Sequence, residues 1–368
     1  MKIRIPRQDF LTGVNKVKSV VSSRSALPIL SHILIETGES STRLCTTDLK
    51  VSIECSVDCT VDEPGMLTIS SHRLASILTE LPEGEVTVEL GDNNVISLIS
   101  GRTKAKLFSM SPDEFPPVRT FEGVDPIVIE QLALRDLFSK TSFAICTDQA
   151  RYNLTGLLFE VSGSKLTVVA TDGRRMSLCM QECGDLQDRE LKIIIPGKMI
   201  VELERLLSDE GQLELLVTES QAAFVFNSIR MVTALIEGTF PDYNMVVPKS
   251  HDKIVLVDTV KFSEAVRRTR TMTNEKFNSV RFVIQENLLT LRVVTPEVGE
   301  STEDMEIEYT GDEVEIAFNP TFVLDVLKHV TTEKVELVLK DPASPGLLKP
   351  HTPEAADSYL NVIMPIRI

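Results

Sequence analysis

The 368-residue chain has no tryptophan, only four tyrosines, and 5% aromatic residues in all. Flat side-chain platforms on which bases stack are therefore scarce. There is no CxxC pair and no zinc-finger spacing; Cys55/Cys59 and Cys179/Cys183 share a spacing but lack a matching His pair, so six reduced thiols are expected. P-loop, GxSxG elbow and HExxH helix are all missing, and the five histidines, His32, His72, His251, His329 and His351, are scattered. No enzyme class leaves its signature, and neither cofactor nor metal is expected. The start, MKIRIPRQDF, lacks the apolar core of a signal peptide. No run approaches the ~18 apolar residues of a membrane span, which predicts a cytoplasmic protein without a membrane partner. Nor is there a run of five basic residues or an Arg-rich arm to read a groove.

What is present repeats. VVATDGRRMSLCM (168–180) echoes RLCTTDLKVSIEC (43–55), and LTLRVVTPEV offers a weaker third copy, so that Thr47, Thr171 and Thr295 stand 124 residues apart. After each copy comes a strand, an apolar-periodic helix and another strand: LTISSHRLASILTELPEGEVTVEL (67–90), KIIIPGKMIVELERLLSDEGQLELLV (192–217) and EIAFNPTFVLDVLKHVTTEKVELVLK (315–340). Three such copies fill the chain. Each reads as an α+β module with two helices on antiparallel sheet. Polar, Pro-containing joints near 120–126 and 246–253 divide it into domains 1–122, 123–250 and 251–368.

Each module offers two helices with an apolar stripe. The stripes are Phe10, Val14, Val17 and Val21; Leu74, Ile77, Leu78 and Leu81; Leu134, Leu137, Phe138 and Thr141; Ile200, Leu203 and Leu207; Phe262, Ala265, Val266 and Thr269; and Phe322, Val326, Leu327 and Val330. The helices are net cationic (Lys16, Arg135, Lys140, Lys198, Arg205, Lys261, Arg267, Arg268, Arg270, Lys328) although the chain carries −16. A cationic helical layer on an anionic body suits contact with a polyanion backbone without sequence reading. Taken one at a time, such helix faces are more often simply solvated.

The set LPILSHILIE, TDGRRM, GTFPDYNMVVP, NEKFNSVRF, FNPTFVLDVL and terminal VIMPIRI resembles the bacterial DNA polymerase III beta subunit family over essentially the whole chain. The resemblance implies three clamp-type domains per chain. It also implies a head-to-tail homodimer ring whose helices surround duplex DNA, conferring processivity on the replicative polymerase. It further implies a cleft between the second and third domains that takes peptides of the polymerase, the clamp loader and other clamp-binding proteins. Carried over by position, that cleft comprises Leu154, Thr171, Gly173, Arg174, Arg175, Met176, Pro241, Met245, Val246, Val247, Asn319, Phe322, Val362, Ile363, Met364, Pro365, Ile366 and Arg367. DNA-facing positions are Arg24, Gln149 and Tyr152, with Arg73, Lys198, Arg205 and Arg267 added from the helix phases. The ring joint is expected between 101–109, with Arg102, Lys104, Lys106 and Leu107, and 297–304, with Glu300, Glu303 and Asp304; Met272 adds apolar contact. Arg174, Met176 and Met245 depart from the family pattern, which leaves the charge preference of the peptide open.

The residues themselves support the cleft. The chain ends on LNVIMPIRI, apolar where ends are usually polar and frayed, and this tail needs a strand partner or a cleft. Met176, Met245 and Met364 supply adaptable side chains. Two alternatives stand beside this reading: a repeat-built protein scaffold that never touches DNA, and a two-metal nuclease using the acidic stretch STEDMEIE.

Overall fold

The structure, a computed structural model, describes residues 1–21, 27–183, 189–247, 252–352 and 358–367. The six α-helices among them are α1 (Arg7–Val17), α2 (Ser71–Glu80), α3 (Gln131–Ser139), α4 (Gly197–Leu206), α5 (Thr259–Arg270) and α6 (Pro320–Leu327). No helix is long and apolar enough to cross a membrane.

Two compact units hold the chain: Met1–Leu132 with Val201–Leu235, and Ala133–Ile200 with Ile236–Ile368. Each contains one eight-stranded antiparallel sheet and one smaller sheet. The large sheets explain why there are two units and three repeats. In the first unit, Ile229–Ala234 of the central repeat pairs with Val51–Asp58 of the first. In the second, Arg175–Glu182 of the central repeat pairs with Tyr359–Ile363 of the third. Each seam is continuous ladder, so two repeats share one hydrogen-bonded sheet. At the first seam Arg230 and Arg43 both reach the buried carboxylate of Glu54, at 3.5 and 2.7 Å. This buried group thus has two charged partners.

The helices are set by the stripes read from sequence, with two shifts. Leu134, Leu137, Phe138 and Thr141 are all fully buried, as are Phe262, Val266 and Thr269. α1 stops at Val17 and passes into a 3₁₀ turn, Lys18–Val20, so Val20 is buried in place of the expected Val21. In α6, Val323 is buried and Phe322 is not. Caps follow ordinary chemistry: Asp258 accepts from Lys261 N at the start of α5, and Asn319 from Thr321 N ahead of Pro320 in α6. Arg7 donates to the carbonyls of Leu78 and Thr79, both at 2.7 Å, closing the C-terminal end of α2. All six cysteines are free thiols. Burial pushes Cys55 up to about 11 and Cys179 to about 12.

The repeated Thr-Asp is a turn. Thr47 Oγ1 accepts from Leu49 N, and Asp48 Oδ1 from Lys50 and Val51 N. Thr171 Oγ1 accepts from Gly173 N, and Asp172 Oδ1 from Arg174 and Arg175 N. The residue after the Asp has φ of 77° at Leu49 and 79° at Gly173, and the same register in the third copy puts Glu297 at 65°. Only glycine takes that region without steric cost. Leu49→Gly is therefore expected to stabilise the first unit by about 1 kcal/mol, read as a higher urea midpoint at unchanged slope.

Candidate functional site

The second unit holds an open cavity of about 750 Å³. Its lining residues Leu154, Met176, Phe240 and Val362 belong to a buried cluster that continues beneath them through Leu158, Leu178, Ile236 and Leu347. Strand alternation builds it. Met176 and Val362 sit opposite each other in the ladder between Arg175–Glu182 and Tyr359–Ile363, so both point to one face. The 3₁₀ turn Gln149–Leu154, the Thr-Asp turn 171–175, the loop 240–247 and the turn 340–345 raise its walls. Met245, Val246 and Met364 are left exposed there, Met245 to 82%. The apolar tail has found a strand partner: Met364 N donates to Arg174 O at 2.9 Å and Ile366 N to Ala317 O at 2.8 Å.

Arg175 organises one wall. Its Nε donates to Asp172 Oδ2 at 3.1 Å, Nη1 to Asp325 on α6, and Nη2 to the Phe143 carbonyl. The guanidinium lies 4.4 Å from the Phe322 ring centroid and 5.4 Å from that of Phe143. Phe143 stacks in turn on His329 at 5.4 Å. Burial pushes the His329 imidazole below its usual range, favouring a neutral ring.

Of the residues predicted for the cleft, Leu154, Thr171, Gly173, Arg174, Arg175, Met176, Pro241, Met245, Val246, Val247, Val362 and Met364 line this cavity. The other predicted positions lie elsewhere. Asn319 is the cap of α6, and Phe322 is covered by Arg175. Ile363, one step along the strand from Val362, points to the opposite face among Phe262, Phe282 and Phe318. Pro365, Ile366 and Arg367 lie past the lining. Phe240, Tyr243, Lys340, Ser344 and Pro345 line it without having been foreseen. Phe240 and Tyr243 flank the predicted Pro241. The 340–345 stretch reads as a turn, KDPASP, but its place beside the cavity depends on tertiary packing.

The predicted DNA-facing residues are less uniform. Arg24 lies outside the described residues. Arg73, Gln149, Tyr152, Lys198 and Arg267 are exposed, each on its own unit. Arg205 is exposed too, but its guanidinium is engaged by Glu202, Ser19 and the carbonyls of Asn15 and Lys16. It closes the C-terminal end of α1, where a cation is favourable. Arg205→Ala is expected to cost about 1 kcal/mol of stability, read as a lower urea midpoint at unchanged slope. Two further helix cations are paired internally, Lys140 with Asp136 and Arg268 with Glu264 and Glu303.

The predicted joint residues fall on two sheet edges. Lys104, Lys106 and Leu107 belong to Thr103–Phe108, the last strand of the five-stranded sheet, with Arg102 in the turn before it. Glu300, Glu303 and Asp304 belong to Gly299–Glu306, an edge of the four-stranded sheet. Glu303 is already bound by Arg268, and Asp304 accepts from Thr290 at 2.6 Å, so Glu300 is the least committed of the three carboxylates. Met272 is half-buried just after α5. Phe108, 80% exposed, was not foreseen. Alternation sends Glu303 and Asp304 to opposite faces, and among the described residues no group of three or more His, Cys, Asp or Glu side chains could hold a metal ion.

Three family descriptions match the chain in order: the DNA polymerase III beta subunit N-terminal domain over residues 1–119, its central domain over 128–242, and its C-terminal domain over 244–367. Among curated relatives, the beta sliding clamp of Pseudomonas putida is 34% identical and that of Chlamydia muridarum 32%, with 100% of this chain and at least 99% of each relative covered. The Pseudomonas aeruginosa clamp bound to griselimycin superposes with a TM-score of 0.94 at 32% identity, and the Bacillus subtilis clamp with 0.96 at 26%. Each structural comparison spans 100% of this chain, with 100% and 99% of the other covered. A threefold α+β repeat matched domain by domain along its whole length places the chain in the DNA polymerase III beta subunit family, the beta sliding clamps of DNA replication.

Proposed function

We propose that two copies of this chain close head to tail into a ring around duplex DNA and hold the replicative polymerase to its template without catalysing a reaction. One observation carries this reading: a single chain presents two sheet edges of opposite charge. The edge strand Thr103–Phe108 bears Lys104 and Lys106; the edge strand Gly299–Glu306 bears Glu300 and further carboxylates. Unpaired edges invite strand addition, and opposite charge fixes which edge meets which. Such a contact is heterologous, so it must close on itself or grow into a filament. The clamp domains are 1–122, 123–250 and 251–368, and the ring works in the cytoplasm.

In this reading the exposed cations of the helices give weak, non-directional phosphate contacts that permit sliding, while topology supplies retention. The cavity of the second unit docks linear peptides of the polymerase, the clamp loader and other partners. Apolar anchors would enter its floor, and Met245 and Met364 would adapt to them. The P. aeruginosa relative was solved with griselimycin bound, and the Caulobacter crescentus relative with PEG at a candidate beta-motif tethering region. Mass in solution tests the joint. At micromolar concentration the protein should run at twice its 40.9 kDa chain mass, and Lys104→Glu with Lys106→Glu should return it to the monomer. A monomer at every concentration, or an open-ended ladder of sizes, would contradict the closed dimer.

A further inference from the structure

The cavity lining contains Arg174, Arg175 and Lys340 and no aspartate or glutamate. Arg175 is committed to Asp172, Asp325 and the Phe143 carbonyl. Arg174 and Lys340 are exposed, and neither side chain forms a salt bridge among the described residues, although Lys340 lies within electrostatic reach of Asp252 and Asp341. The carboxylates nearest in sequence are engaged in their own turns. Asp172 accepts from the amides of Arg174 and Arg175. Asp341 accepts from the amides of Ala343 and Ser344 and from the Ser344 hydroxyl. Two exposed cations thus stand beside an apolar floor, Arg174 without a carboxylate partner among the described residues and Lys340 offset in part by Asp252 and Asp341, on a chain whose net charge is −16.

We propose that the segment docking in this cavity is acidic: an extended stretch whose apolar side chains fill the floor and whose flanking aspartates or glutamates are read by Arg174 and Lys340. This rests on the peptide-docking reading above and adds a charge preference to it. The physical argument is contrast. A strongly anionic protein repels acidic chains over most of its surface. A local pair of exposed cations at this apolar opening makes it a favoured landing point and sets the register of the bound segment. A basic flank would meet like charge there and be selected against.

The test displays random linear peptides to the intact protein and to the double variant Arg174→Glu, Lys340→Glu. Both positions are exposed, so the variant should fold. Peptides enriched on the natural protein should be net acidic around an apolar centre, and those enriched on the variant neutral or basic. A synthetic acidic peptide from the first pool should bind the variant about tenfold more weakly at low salt, with the difference shrinking as salt is added. Enrichment of neutral or basic peptides, or equal affinity for both proteins, would overturn the charge preference and leave docking intact. No enrichment, or an amide-exchange footprint away from the cavity, would overturn both.

Discussion

Replacing Arg175 by alanine is expected to lower stability by about 3 kcal/mol. The side chain is only 12% exposed and serves two carboxylates at once, Asp172 and Asp325, themselves 20% and 33% exposed. Its loss leaves both without their cation, frees the Phe143 carbonyl, and opens the gap between the Phe143 and Phe322 rings that the guanidinium fills. In a large unit that corresponds to a fall in Tm of roughly 5–10 °C. Arg175→Lys should recover little, because an ammonium cannot span a fork and stack between two rings. Arg175→Ala should also loosen the cavity wall, since this side chain ties the turn 171–175 to α6. A variant melting within a degree of the natural protein would show that the turn is held by its backbone alone.

Gly156→Ala is the second substitution with a large expected effect. A Cβ there would stand 2.5 Å from the carbonyl oxygen of Ile195, 2.7 Å from Ile236 Cδ1 and 2.9 Å from Ile194 Cγ2. The carbonyl cannot withdraw, because Gly156–Ser162 and Glu190–Pro196 are neighbouring strands of one ladder. Ile194 and Ile236 pack in the buried cluster that also holds the lining residues Met176, Phe240 and Val362, so strain there is passed to the site. The cost should be about 2–3 kcal/mol. Gly91→Ala is the matched control: its Cβ would meet only the Val95 carbonyl at 3.6 Å, and stability should change by less than about 0.5 kcal/mol. Equal midpoints for the two variants in chemical denaturation would mean that the sheet gives way at Gly156.

Periodic burial was readable from sequence, and pairwise rescue was not. The stripes of α3 and α5 follow from 3.6-residue spacing, because nothing competes with the core for Leu134, Phe138, Phe262 or Val266. Phe322 has the same spacing, yet it is taken up by the cation of Arg175 from a distant strand. Arg205 likewise has the phase of a solvent-facing residue, but the open carbonyls at the end of α1 claim it. The repeat was visible as Thr-Asp at a fixed spacing. Its cause, a turn with one residue at positive φ, showed only at Gly173, because Leu49 and Glu297 occupy a conformation their side chains disfavour. In the cavity, the strand-borne and tail residues were legible through the apolar C-terminus and the family resemblance. Lys340, Ser344 and Pro345 were hidden because a turn announces its shape but not its neighbours.

The central claim is topological, and retention on DNA tests it most directly. The protein is loaded by a clamp loader onto a nicked circular duplex, unbound protein is removed, and the circle is then cut once at a distant site. A closed ring should stay on the circle through a high-salt wash and run off the ends after the cut. Equal retention before and after cutting, or loss from the intact circle as soon as salt screens the phosphates, would contradict encirclement and leave only surface binding.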